Sequence, residues 1–194
     1  MLGFGGGVQL KTERLILRTP QRRDFLSWRT ARIESGDHLK PWEPVWSSDH
    51  LTLRSFRSRV AWSKRAVRMA RAYPLFLIDP TTGEVIGAAT LDNIRRGPSQ
   101  TGTLGYWLSA SHTGQGLMRE AVDRILRYAF DDLGLGRVEA GTLPENTPSR
   151  RLLEATGFKY EGVAQAYLQI NGRWRDHVLY AALRNDRRGV AHTD

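Results

Sequence analysis

The chain has 194 residues, 40% of them apolar and 25% charged, and no cysteine. That balance fits one soluble globular domain and excludes a disulfide scaffold, a thiolate metal site and a cysteinyl-enzyme intermediate. Basic residues outnumber acidic ones 29 to 20, and the resulting charge of +9 suits polyanionic partners: phosphorylated cofactors, RNA, or a protein bound to RNA. No apolar run is long enough to span a bilayer, and the opening MLGFGGG lacks the basic and apolar regions of a secretion signal. Cytoplasmic residence without a membrane partner is the expectation.

In chain order, residues 1–7 read as a disordered glycine-rich lead, 8–185 as one domain and 186–194 as a mobile charged tail. Leu10, Leu15 and Leu17 predict a strand over 8–18, ended by Pro20, and 22–34 reads as a helix. LKPWEPVW (39–46) contains two prolines, which block helix and central strand alike; its Trp42 and Trp46, flanking Glu43, are candidates to line an acceptor pocket. A second helix is predicted over 51–72. It carries Arg54, Arg57, Arg59, Lys64, Arg65 and Arg68, with Arg71 at its end, and the cluster reads either as a solvated face or as a polyanion-binding one. Residues 74–79 and 84–93 flank the turn sequence Pro80-Thr81-Thr82-Gly83 and predict a hairpin. A strand follows at 102–109. Residues 115–133 predict a helix whose apolar positions 118, 122, 125, 126, 129, 130 and 133 share one stripe, stopped by Gly134 and Gly136. A strand at 137–142 leads to Asn146, a good N-cap, with Pro148 in the first turn of a helix ending at Gly157. Asn171-Gly172 signals a final hairpin. These elements make an α+β (mixed α/β) domain around one sheet.

The most informative stretch is 105–122, GYWLSASHTGQGLMREAV: an apolar strand, a loop with Gly114 and Gly116, and the start of an amphipathic helix. Such a loop aims unpaired backbone N–H groups at the positive end of a helix dipole, a seat for a pyrophosphate. A dinucleotide fold would want a third glycine where Arg119 stands, and Glu139 is mid-strand rather than at a strand end. A P-loop would want Lys-Ser/Thr where Leu117-Met118 stand, and there is no Gly-x-Ser-x-Gly elbow. The second constellation is ENTPSRRLLEATGF (145–158), which puts Asn146, Ser149 and Arg150 on one side of a helix start. Histidines 38, 50, 112, 177 and 192 share no metal-ligand spacing and read as surface or packing residues, so no metal is expected.

Together these stretches resemble the GNAT superfamily of acetyl-CoA-dependent N-acetyltransferases, and within it the ribosomal-protein acetyltransferases of the RimJ/RimL-like branch. The resemblance covers about residues 8–184. It rests on TERLILR, LKPWEPVW, LGYW, GQGLMREA, the Asn-x-x-Ser helix start and the Gly157-Phe158 turn. It implies a mostly antiparallel, twisted and splayed central sheet flanked by helices. Acetyl-CoA would be the acetyl donor, with its pyrophosphate on the loop Thr113, Gly114, Gln115, Gly116, Leu117 and Met118. Its pantetheine arm would run along Tyr106, Trp107 and Leu108, and a backbone N–H near Leu108 would act as an oxyanion donor. Asn146 would bond the pantetheine or order a water, Ser149 would protonate the departing thiolate, and Arg150 would add charge for a coenzyme phosphate.

The chain departs from the family pattern at four places. Thr113 replaces the usual arginine or glutamine, Met118 stands where glycine or alanine is common, and Leu153 stands where many relatives carry a thiolate-protonating tyrosine. The strand at 102–109 lacks the carboxylate that often serves as base, which leaves Glu43 or a water chain for that task. The acceptor implied is an α-amine, the N-terminal alanine of a ribosomal protein. Two other functions stay open: acetylation of a small amine (polyamine, antibiotic or amino acid), and a non-catalytic RNA-binding or ribosome-assembly module. The sequence carries no signal of oligomeric state.

Overall fold

A computed structural model describes residues 7–184, so the expectations for the first six residues and for the charged tail lie outside the described residues. Eight strands form one sheet: β1 (Gln9–Lys11), β2 (Ile16–Arg18), β3 (Tyr73–Ile78), β4 (Val85–Arg95), β5 (Thr101–Leu108), β6 (Arg137–Thr142), β7 (Lys159–Ile170) and β8 (Arg173–Leu183). Their spatial order is β1-β2-β3-β4-β5-β6-β8-β7. Every neighbouring pair is antiparallel except β5 and β6, which are parallel. No helix among the described residues is long and apolar enough to cross a membrane.

The helices are α1 (Phe25–Glu34), the short α2 (Gly36–Leu39), α3 (Leu53–Arg68), α4 (Leu117–Arg127) and α5 (Thr147–Ala155). Side-chain alternation along the strands sorts them onto two faces. Phe76, Ile78, Val85 and Ala88 meet Trp28 of α1 and Phe56 and Val60 of α3. Leu75, Leu77, Ala89, Leu91 and Leu104 meet Val122 and Ile125 of α4 and Leu153 of α5.

Several boundaries differ from the sequence expectation. The single strand over 8–18 is a hairpin of two three-residue strands, with Gln9 opposite Arg18. The turn closes because Thr12 N–H donates to Leu15 O and Leu15 N–H to Thr12 Oγ1, both at 3.0 Å. Leu10 and Leu15 are an odd number apart, so one unbroken strand could not have buried both. The helix at 22–34 begins as a 3-10 turn (Arg22–Asp24), and LKPWEPVW contains a 3-10 turn at Lys40–Trp42. The helix over 51–72 is shorter, starting after Thr52, whose side chain accepts from Ser55 N–H, and ending before Ala70 at φ 50°. The helix over 115–133 is α-helical only through Arg127 and continues as a π turn over Tyr128–Asp132. The final hairpin turns at Asn171-Gly172 as expected, with φ positive at both residues, as a two-residue type I′ turn requires.

Candidate active site

The glycine loop joins β5 to α4. Gly114 and Gly116 both adopt φ 75°, where an L side chain is strained, and Gly116 is the N-cap of α4. No side chain caps that helix end. Among the described residues, the N–H groups from Gly114 to Arg119 find no protein acceptor; the first bond back into the helix is Glu120 N–H to Gly116 O. A row of unpaired donors at a helix N-terminus fits a pyrophosphate. The Thr113 hydroxyl donates to Ala110 O and the Gln115 amide to Ser111 O, so these side chains shape the loop. His112 Nδ1 is bonded to Ser109 Oγ and Ser111 Oγ in the preceding turn.

Arg14, from the turn between β1 and β2, braces this loop. Its backbone N–H and Nε bond the two carboxylate oxygens of Glu120 at 2.8 and 2.7 Å, and its Nη1 donates to Gln115 O at 2.9 Å. Burial alone would raise the Glu120 pKa; hydrogen bonds from Thr12 and Arg14, and the Arg14 charge, hold it below the usual range. Glu120→Ala is expected to raise KM for acetyl-CoA about two- to fivefold, the worth of a partly exposed ion pair, as initial-rate kinetics would read.

The gap beside β5 follows from strand register. Ser109 N–H donates to Ile86 O, and Leu108 and Trp107 lie opposite Gly87 and Ala88 of β4. Alternation then turns the Trp107 N–H toward β4 and the Tyr106 and Leu108 N–H groups to the other side. On that side β6 pairs only from Thr101↔Arg137 to Thr103↔Glu139, after which the two strands part. The side chains of Tyr106 and Leu108 pack on the α4–α5 face, and that of Trp107 on the α1–α3 face.

Helix α5 starts across this gap. Asn146 caps it by accepting Ser149 N–H at 3.2 Å, leaving its own side-chain N–H groups available. The Ser149 Oγ and the Tyr106 hydroxyl are 2.7 Å apart. Burial, with a smaller contribution from Tyr180, pushes the Tyr106 pKa up to about 12 against the Ser149 hydrogen bond, so the phenol stays protonated at neutral pH. Arg150 donates to the Tyr180 hydroxyl at 3.2 Å and to Pro144 O at 3.1 Å, and Tyr180 donates to Glu154 at 2.8 Å.

On the opposite face, the LKPWEPVW loop is tied to the final hairpin by Asn171 N–H to Glu43 O. The three predicted acceptor residues divide between two cavities: Trp42 lines one against the hairpin and Glu145, while Glu43 and Trp46 line another against Trp107. Both Glu43 carboxylate oxygens are engaged by Arg32, a residue only 4% exposed, and one also accepts from Trp46 Nε1 at 2.7 Å. An amine would compete with that guanidinium for the carboxylate.

His177 of β8 is a second buried titratable group on this side of the sheet. It is 3% exposed and follows the alternation away from Val178 and Tyr180, onto the same side of the sheet as Trp107. With Val178 opposite Thr142, the last residue of β6, His177 lies one position beyond that strand end, where the chain turns toward Asn146. Its Nδ1 donates to Arg175 O at 3.0 Å, so the proton sits on Nδ1. Nε2 makes no hydrogen bond among the described residues, and the Glu145 carboxylate is close enough to interact with the ring electrostatically. Sequence reading had no signal for this: a lone histidine in a strand reads as packing. The Tyr106 hydroxyl and Arg14 were equally unreadable, because their partners lie 43 and 106 residues away.

Comparison with known proteins gives the family of this fold. Residues 14–159 match the family described as Acetyltransferase (GNAT) domain. The chain is 38% identical over 176 residues, 90% of both chains, to the [ribosomal protein uS5]-alanine N-acetyltransferase of Escherichia coli K12. The ribosomal-protein-S5-alanine acetyltransferase structure from Vibrio fischeri superposes with a TM-score of 0.86 at 31% identity, covering 92% of this chain and 98% of that one. Mycobacterium smegmatis RimJ, solved in complex with CoA-disulfide, gives 0.83 at 34% identity over 89% of this chain and 83% of that one. With its unpaired donors where a pyrophosphate fits and its parted β5 and β6, the chain belongs to the GNAT acetyltransferase family and is an N-acetyltransferase.

Proposed function

We propose that this enzyme transfers the acetyl group of acetyl-CoA to the α-amine of a protein N-terminus, an N-terminal alanine of a ribosomal protein, in the cytoplasm. The observation that carries the reading is the parting of β5 from β6, toward which the Leu108 N–H turns, with the Ser149–Tyr106 hydroxyl pair joining the start of α5 to β5. Acetyl-CoA supplies an activated thioester. The N–H groups from Gly114 to Met118 hold its pyrophosphate, Tyr106 to Leu108 and Asn146 hold its pantetheine, and Arg150 braces the start of α5. The Leu108 N–H steadies the carbonyl oxygen as negative charge grows on it. The amine nitrogen bonds the carbonyl carbon, and His177 Nε2, directly or through a water, takes the proton that nitrogen sheds. The carbon–sulfur bond breaks, Ser149 Oγ gives its proton to the sulfur and regains one from water, and the Tyr106 hydroxyl holds Ser149 in place by a hydrogen bond. Glu43 holds the loop through Arg32.

An α-amine, with a pKa of about 7.7–8.0, is neutral in a sizeable minority of molecules near pH 7, whereas a lysine at about 10.4 is neutral in roughly one part in a few thousand. Peptides with free N-terminal alanine are therefore expected to outpace N-blocked peptides carrying one internal lysine by more than about tenfold in kcat/KM at pH 7. Faster lysine acetylation would refute the reading. A polyamine acceptor is disfavoured, because the cavity beside Trp107 is lined by two arginines and one carboxylate. The outward cations of α3 (Arg54, Arg57, Lys64, Arg65 and Arg68) are exposed and make no ion pair among the described residues. They support an acceptor met close to RNA.

A further inference from the structure

The cavity behind Trp107 has a volume of about 370 Å³. Trp28, Trp46 and Trp107 wall it, and Arg32, His50 and Arg59 line it as well. Arg32 lies between two of the indoles, its guanidinium carbon 4.3 Å from the Trp46 ring centre and 4.8 Å from that of Trp107, and its charge is answered by Glu43. Arg59 is different. Its guanidinium lies over Trp28 at 5.5 Å and makes no ion pair among the described residues.

The surrounding field is positive. Burial first, then the charges of Arg32 and Arg59, lower the His50 pKa to about 4 against the opposing pull of Glu43 and Asp49, so His50 is neutral at pH 7. Its Nε2 is buried without a protein partner. Arg59, although exposed as a residue on α3, has its own pKa lowered by protein crowded around the guanidinium and then by Arg32, against a smaller opposing pull from Glu43. Lys40 Nζ lies 5.7 Å from the Trp46 ring. Arg32, Arg59 and Lys40 thus stand against Glu43 and Asp49, which leaves one cation in excess.

We propose that this cavity receives an aspartate or glutamate side chain from the first residues of the acceptor polypeptide, with Arg59 pairing its carboxylate. This rests on the N-terminal-amine reading. Trp107 is the residue next to Leu108, whose N–H faces the transfer gap, and an extended chain advances about 3.3–3.6 Å per residue, so the second to fourth acceptor residues come within reach. The indole walls accept the methylene stem, and a guanidinium fork matches one carboxylate. A monoanion balances the single excess cation, whereas a phosphate dianion would leave a charge unmet.

The test uses alanine-started peptides with Glu, Gln or Lys placed in turn at positions two, three and four. Wild-type enzyme is compared with Arg59→Gln and Arg59→Lys. One position should show a KM for the Glu peptide about tenfold below that of its Gln twin, the size of one charge-assisted hydrogen bond. The ratio should fall to about one in Arg59→Gln and persist in Arg59→Lys; being a ratio, it is insensitive to any general loss of activity. Tryptophan fluorescence titration with the acetylated product peptides reads the same preference as binding, without turnover. If no peptide is acetylated, the transfer reading fails while the titration still decides the acidic pocket. Equal affinities for Glu, Gln and Lys at all three positions, or a ratio that survives Arg59→Gln, overturns the proposal.

Discussion

Replacing His177 with glutamine is expected to lower kcat about a hundredfold, the contribution typical of a positioned base, with KM for acetyl-CoA changed less than about twofold. The expectation comes from the tautomer. A backbone carbonyl cannot donate, so the bond from Nδ1 to Arg175 O keeps a proton on Nδ1 and leaves Nε2 as the ring atom able to accept one. The proposed coenzyme cradle, Gly114 to Met118, lies between β5 and α4 and outside β8, so coenzyme affinity is expected to survive. A packing role would also cost activity, because His177 is buried against Tyr167. Chemical rescue separates the two: imidazole added to a His177→Gly variant should restore part of kcat if the side chain takes a proton, and none if it only packs. A kcat within about threefold of wild type, well short of the usual range for a base, would remove His177 from the mechanism.

Ser149→Ala is expected to lower kcat about thirty- to a hundredfold with acetyl-CoA affinity nearly unchanged. Tyr106→Phe should lose less, because Ser149 would still carry a proton. The double variant should cost little more than Ser149→Ala alone, since the two hydroxyls act as one unit at 2.7 Å. The sharper measurement is the leaving group. An acetyl thioester of an aromatic thiol departs without a proton, so Ser149→Ala should regain most of its rate with that donor. Equal losses with both donors would show that Ser149 positions the helix start and supplies no proton.

The parts of the site that were legible in the sequence are local ones. The glycine loop and the Asn-x-x-Ser helix start each declare their conformation within about one turn of chain, because positive φ at Gly114 and Gly116 and a cap at Asn146 are demands of neighbouring residues. The final hairpin was legible for the same reason. The strand over 8–18 was misread because apolar leucines at roughly regular spacing look continuous until Thr12 closes a turn between them. The end of α4 was misread because a π turn keeps the apolar stripe that marks an α-helix.

Glu43 shows the limit from the other direction. An acid between two tryptophans is a fair candidate base, and nothing near it in sequence reveals that Arg32, eleven residues earlier, holds its carboxylate. What the sequence by itself determined is the glycine loop that joins strand to helix and the capped helix start after it, because backbone conformation at glycines and caps is a short-range property. The tertiary structure alone decided what stands around that loop. The parting of β5 from β6, the Ser149–Tyr106 pair, the ring contact of His177 with Tyr167 and the stacking of Arg59 over Trp28 each join segments that local sequence does not connect. Those contacts exist only once a shared sheet has fixed strand register and directed each side chain to one face.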